Sequence, residues 1–393
     1  VYSVADYGSM IADRVRMDAY EAALKAAIRP GAVVLDIGAG TGICALLACR
    51  YGARHVYALE VNPAVVVGRT IAEANGLAER ITFVRQLSTS WQPPEQADVM
   101  VSDLRGVLPL TSGHLPAIID ARTRLLKSGG IQIPRRDDLW AAVVRARRVH
   151  DHLTRIWTDN PYGLDMSAAR ELVVNTWLSA PNRGCQPITA PAHGATLDYT
   201  TLDNTALRAH FTWHGPGRGR AHGILVWFEA EVLEGIRYTT APDQPPTVYG
   251  RAFVPWPHAV ALDGSETIEL ELCADLVGDD YIWRWETTIA RARGDGAPAT
   301  RFKQSTFHSQ PLDLDRLHRR APGHVPSLGV EGRIDLLILQ GMAEGLSVQA
   351  LAERLAVQLP DRFPGWQAAL GRVGDVAARY DAGAVERPGP AAS

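Results

Sequence analysis

A chain of 393 residues, 46% hydrophobic and 21% charged, is long enough for two or three globular domains. Its formal net charge of −3 excludes the strongly basic balance of a nucleic-acid binder, and no apolar run is long enough to span a bilayer, so neither nucleic acid nor membrane is an expected partner. The four cysteines (Cys44, Cys49, Cys185 and Cys273) lack metal-ligand spacing, so no metal site or disulfide framework is expected, and a reducing, cytoplasmic setting is.

Residues 9–28 carry apolar side chains at helical spacing and predict one amphipathic helix. Strands are then expected at 33–42, 55–62, 81–86, 97–104 and 131–134. Helices are expected between them at 43–52, 63–77 and 115–130. That alternation is the pattern of βαβ units, so the first domain (1–134) reads as a Rossmann-like, doubly wound α/β fold on a parallel sheet. After Pro134 the period changes. A helical patch at 160–178 precedes period-two runs at 207–213, 224–232, 267–276 and 281–289. They predict an antiparallel, β-barrel-like domain over 135–320. Residues 321–393 read as a C-terminal helical extension and tail, with Ser347 as an N-cap and an apolar stripe at Leu336, Leu337, Leu339, Leu346, Leu351 and Leu355. The arginines at 135–136, 145–148 and 319–320 read as solvated faces.

The chemistry concentrates between Val33 and Asn62. Asp36 precedes Gly38, Gly40 and Gly42, after a buried strand and before a helix. Glycines there permit a tight turn and a close backbone approach to a ligand. Glu60 falls at the end of the next strand, where a carboxylate can accept both hydroxyls of a ribose. The G-x-G-x-G spacing departs from the dinucleotide fingerprint, and an acidic residue ahead of the glycines suits an ammonium group better than a pyrophosphate. S-adenosyl-L-methionine is therefore the expected cofactor and methyl transfer the expected reaction.

These residues resemble the protein arginine methyltransferase family. Met10-Ile11-x-Asp13-x-x-Arg16-x-x-x-Tyr20 is similar to the helix that family folds over its cofactor. The resemblance puts Met10 and Arg16 on the cofactor, Arg16 gripping the methionine carboxylate. It also sets Leu87 and Ser88 against the adenine. Residues 162–167 are similar to the start of the family's dimerisation arm, which implies a homodimer, and residues 221–232 resemble a strand of its substrate barrel.

The same comparison exposes departures. Asp103 takes the place of the first of two glutamates that hold the acceptor guanidinium in the family, and the second falls near Ser112. Thr247-Val248-Tyr249 stands where the family has Thr-His-Trp. Two carboxylates orient a guanidinium better than one, and Arg105 adds a cation beside the pocket. The expected substrate is therefore a small molecule or peptide, methylated at nitrogen, with Arg105 reading an anionic group. Asp103 is the catalytic candidate, orienting the acceptor and taking its proton. His114 is a second base candidate. Tyr2, Tyr7 and Tyr249 are read as lining the acceptor pocket, with plain packing as the alternative. Genuine protein arginine methylation is the second hypothesis and a non-catalytic, cofactor-binding scaffold the third. The run of short helices over 325–380, with GLSVQALAERL (345–355) in its middle, resembles peptide-chaperone modules of the PqqD type, which implies a ribosomal peptide or natural-product intermediate as substrate; a helical extension packed on the barrel or on a dimer partner is the alternative.

Overall fold

The structure, a computed structural model, describes residues 2–111, 113–180, 184–291 and 298–381. Residues 1–311 form one compact unit and residues 312–393 another.

The first unit opens with α1 (Val4–Ala12) and α2 (Arg14–Ala27). Two helices stand where one is expected, because Asp13 leaves helical geometry (φ −70°, ψ 91°). Its carboxylate instead caps α2, accepting from the Arg16 amide at 3.2 Å. Next come β1 (Val33–Ile37), α3 (Ile43–Arg50), β2 (His55–Leu59), α4 (Val65–Ala74), β3 (Ile81–Val84), β4 (Ala97–Ser102), α5 (His114–Arg124) and β5 (Leu126–Ile133). The five strands are parallel in the order β3-β2-β1-β4-β5. Every residue of β1 is buried: Val34 packs with α2 and α3, and Val33 and Leu35 pack with α5. Strand order reverses between β1 and β4, the place where ligands gather beyond the strands' carboxyl ends. The helix expected to reach residue 130 stops at Arg124, and β5 takes in Lys127 to Gly130.

The second half of this unit contains β6 (Arg136–Arg145), α6 (Arg147–Thr154), α7 (Ser167–Val173), β7 (Leu178–Ser179), β8 (Gln186–Pro187), β9 (Ala192–Asp198), β10 (Leu207–His214), β11 (Gly219–Leu233), β12 (Ile236–Thr239), β13 (Ala252–Leu262), β14 (Glu266–Val277), β15 (Asp280–Arg291) and β16 (Thr300–Ser305). One antiparallel sheet runs β7-β13-β11-β6-β8, with β12 on β11 and β9 on β6. The other runs β10-β14-β15-β16. Alternating residues of both sheets, among them Val143, Phe211, Val254, Leu270 and Trp283, fill one apolar interior. Among the described residues the ladders form two sheets and do not close into one ring. The helical patch expected over 160–178 shrinks to α7, and Leu178 already belongs to β7.

The second unit holds α8 (Leu314–Arg320), α9 (Val330–Ala343), α10 (Val348–Gln358) and α11 (Trp366–Tyr380). Its core is Ile334, Ile338, Leu351, Leu355, Val373 and Val376. Ser347 caps α10, accepting from the Ala350 amide at 3.2 Å. Five of the six leucines of the expected stripe lie in or against this core, Leu337, Leu339 and Leu346 only partly buried. Leu351 and Leu355 are buried, but Leu336 is exposed and α9 turns Ile334 and Ile338 inward instead.

Candidate functional site

A cavity of about 890 Å³ opens at the carboxyl ends of β1, β2 and β4. Its wall includes Tyr2, Tyr7, Met10, Arg16, Asp36, Gly38, Gly40, Glu60, Leu87, Ser88, Asp103, Arg105 and Tyr249. Of the residues singled out from sequence only Gly42 stays off the wall; its φ of 86° turns the chain into α3. Gly38 and Gly40 also have positive φ, 74° and 57°. A Cβ on Gly38 would lie 2.4 Å from the Leu104 side chain, and one on Gly40 would lie 2.5 Å from the Tyr7 ring. The turn and the acidic strand end meet directly, since the Gly40 amide donates to Glu60 Oε2 at 2.8 Å. Glu60 Oε1 accepts from the Asn62 amide at 2.7 Å. Leu87 is on the exposed rim and Ser88 is buried.

Asp36 tests whether this hollow suits the expected cofactor. Its carboxylate is 3% exposed, and Oδ2 has no partner among the described residues. Burial, with Glu60 nearby, pushes its pKa up to about 7 against the Ala45 amide. An orphaned buried carboxylate beside the glycine turn calls for a cation with N–H groups, such as the ammonium of an amino acid. A bound ammonium favours the ionised form. Affinity is therefore linked to loss of the Asp36 proton, and it falls as pH drops through about 7. Calorimetric titration with S-adenosylhomocysteine should show roughly tenfold weakening per pH unit below that point, and Asp36→Asn should flatten the profile. A flat wild-type profile would count against this pairing.

At the other end of the hollow, Asp103 follows β4. Arg16 Nε and the Tyr249 hydroxyl both donate to its Oδ2, and Arg105 Nη1 donates to Oδ1 at 3.2 Å. Arg16 Nη1 also donates to the Met10 carbonyl at 2.8 Å. Burial alone would raise the Asp103 pKa, but Arg16, Arg105 and Tyr249 hold it below the usual carboxylate range. That environment suits orienting a donor and does not favour taking its proton. Tyr7 packs on the glycine turn, whereas Tyr2 is 56% exposed.

Arg105 departs from its expected role. Its side chain has no exposed surface. Its fork is spent on Asp137: Nε donates to Oδ2 at 2.6 Å and Nη2 to Oδ1 at 2.9 Å. Nη1 donates further to the hydroxyls of Tyr20 at 2.7 Å and Tyr238 at 3.2 Å. The guanidinium therefore presents no free charge to an anionic substrate. His114 also differs from expectation. It is completely buried, and burial next to Arg105 pushes its pKa down to about 3, which makes it a poor base. Tyr199 donates its proton to Asp137, so His114 Nε2 must be the donor to the Tyr199 oxygen, at 3.1 Å. The second family carboxylate position, near Ser112, lies outside the described residues.

Sequence reasoning missed Asp137, Tyr199 and Tyr238, and named Tyr20 in the cofactor helix without its contact to Arg105. Asp137 left a readable trace. Period-two alternation along β6 puts it on the same inward face as Leu139, where a charge needs a buried partner.

Residues 19–142 match the family model of ribosomal protein L11 methyltransferase (PrmA), and residues 135–276 match that of the arginine methyltransferase oligomerization subdomain. Protein arginine N-methyltransferase 6 of Xenopus laevis is 30% identical over 293 residues, which covers 70% of this chain and 83% of the relative. Arginine N(omega)-methyltransferase of Streptomyces achromogenes subsp. streptozoticus is 30% identical over 277 residues, covering 67% of this chain and 74% of the relative. Probable protein arginine N-methyltransferase 6 of Arabidopsis thaliana is 29% identical over 237 residues, 58% of this chain; the chain spans 54% of that relative's length. In fold, the Trypanosoma brucei PRMT1 enzyme-prozyme heterotetrameric complex with AdoHcy superposes with a TM-score of 0.69 at 20% identity, over 76% of this chain and 97% of that one. A parallel-sheet methyltransferase domain joined to the arginine methyltransferase subdomain, with 30% identity over most of a relative's length, places the chain in the protein arginine methyltransferase-like family of S-adenosylmethionine-dependent methyltransferases.

Proposed function

We propose that this chain methylates a guanidinium nitrogen of arginine, borne on a protein or peptide. The observation that carries this is the charge of the acceptor end. Asp103 stands there ionised, Arg16 is engaged with it, and Asp137 neutralises Arg105. One ground for an anionic acceptor was Arg105 as a free cation, and its pairing with Asp137 removes that ground; Asp103 still stands without the second carboxylate of the family. The names of the relatives, protein arginine and arginine methyltransferases, support the same choice.

In this reading Asp36 holds the cofactor's ammonium, Arg16 its carboxylate and Glu60 its ribose, while Met10 and Tyr7 cover it and Leu87 and Ser88 border the adenine. The cofactor supplies, when bound, a methyl carbon on a cationic sulfur; its transfer forms a C–N bond, leaves the sulfur its electron pair and frees one proton from the acceptor. Asp103 accepts an N–H of the guanidinium and fixes the attacking nitrogen. Its low pKa keeps it charged throughout and leaves the released proton to solvent. The hydroxyl of Tyr249 holds the carboxylate in that pose. Self-association through the segment matching the oligomerization subdomain belongs to the same proposal; the exposed Ile156, Tyr162 and Leu164 between α6 and α7 are the contact residues it would use.

The test is label transfer from methyl-tritiated S-adenosylmethionine to a glycine- and arginine-rich peptide, to the same peptide with lysines, and to free arginine. The arginine peptide should be labelled and the lysine peptide not. Label on free arginine alone keeps the guanidinium chemistry and removes the protein-borne acceptor. Label on lysine, or on neither arginine form, overturns the proposal.

A further inference from the structure

We propose that Arg105 and Asp137 are a positioning pair for Asp103, aiming its open lone pair and setting the charge that the acceptor meets. This rests on the reading of Asp103 as the acceptor carboxylate.

Asp103 Oδ2 already accepts two hydrogen bonds, from Arg16 and Tyr249. Oδ1 accepts one, from Arg105, which leaves one lone pair for an acceptor N–H. What fixes the direction of that lone pair is the plane of the Arg105 guanidinium. The two-point contact with Asp137 sets that plane, and the Phe228 ring lies against it with its centroid 5.6 Å from the guanidinium carbon. Nη1 is thereby held toward Asp103. A second path ends on the same carboxylate: Arg105 donates to Tyr238, Tyr238 to Tyr249, and Tyr249 to Asp103. The side chains of Arg105 and Asp137 have no exposed surface, so what Arg105 offers the cavity is backbone and neither side chain reaches substrate. They act only through Asp103. Their charges cancel, as do those of Arg16 and Asp103, so the cluster of four is neutral. Burial pushes the Asp137 carboxyl up, against the pull of the Arg105 guanidinium and the Tyr199 hydroxyl, and the two-point contact with Arg105 is the geometry of a carboxylate.

The pair separates geometry from charge, and three variants of the full chain read them apart. Asp137→Asn leaves the cluster one charge more positive, so the KM for an arginine peptide should rise roughly tenfold with kcat changed less. The double variant R105M/D137N restores neutrality without the support. Its KM should return near the wild-type value, and its kcat should fall about tenfold because Asp103 is no longer aimed. Arg105→Lys keeps charge without the fork and should behave like the double variant. Affinity for S-adenosylhomocysteine, measured for each, should stay within about threefold of wild type and certifies the fold. An unchanged KM in D137N with that affinity preserved overturns the pair, as does a parallel loss of kcat and KM in all three. The guanidinium reading fails separately. If the acceptor that the chain turns over is an anion, D137N lowers its KM, so the direction of the change tells the two failures apart. Should D137N not fold, the kcat of the neutral double variant still decides: no loss there contradicts a positioning role.

Discussion

Replacing Asp103 with Asn should lower turnover roughly a hundred- to thousandfold, in the range seen when one preorganised polar contact to the reacting group is removed. The asparagine keeps the shape, but it has one carbonyl oxygen where two charged oxygens now receive Arg16, Tyr249 and Arg105. Two cations would then face each other across a neutral side chain, and a cationic acceptor would meet net positive charge. Cofactor affinity should not escape untouched, because Asp103 also orients Arg16. A change of less than tenfold is expected there, since Arg16 keeps its bond to the Met10 carbonyl. Single-turnover rates and calorimetry separate the two effects. Equal turnover would remove Asp103 from the mechanism, and a collapse of cofactor binding with normal chemistry would make it a cofactor residue instead.

Glu60→Ala should weaken S-adenosylhomocysteine roughly ten- to hundredfold, about 1.4–2.8 kcal/mol, from the loss of charge-assisted bonds to a ribose. The structure adds a second reason. Glu60 also ties down the Gly40 and Asn62 amides, so alanine loosens the turn as well. Glu60→Gln keeps one acceptor oxygen and should recover part of the loss. Calorimetry on both variants checks this, and unchanged affinity in the alanine form would speak against the ribose assignment.

The part of the site that was legible in sequence is the part made by local chemistry. Asp36, the glycine turn and Glu60 sit within two strands and a helix, and each needs its residue type for a backbone or charge reason that spacing displays. Asp103 was legible as a strand-end carboxylate. Arg105 was not, because its partner Asp137 lies 32 residues on, across the change from the parallel to the antiparallel sheet. An arginine read without that partner is a free cation, and the anionic group it was expected to read loses its ground. His114 was misread for the same reason: the ring it meets, Tyr199, lies 85 residues on, just past the end of β9. In the fold, the alternating strands were plain, whereas β6 was missed because it opens on Arg136, Asp137 and Asp138, with a charge, Asp137, on its inward face and apolar residues on both faces further on. The break between α1 and α2 turns on a single capping carboxylate, Asp13, inside an otherwise helical pattern.

The most direct test of the account is the position of the new methyl group, found by fragmentation mass spectrometry of an arginine peptide after incubation with the chain and S-adenosylmethionine. The account predicts a gain of one methyl on a terminal guanidinium nitrogen, lost when Asp103 is replaced by Asn. A methyl on a lysine, a chain terminus or a carboxylate, formed equally well by that variant, would contradict it.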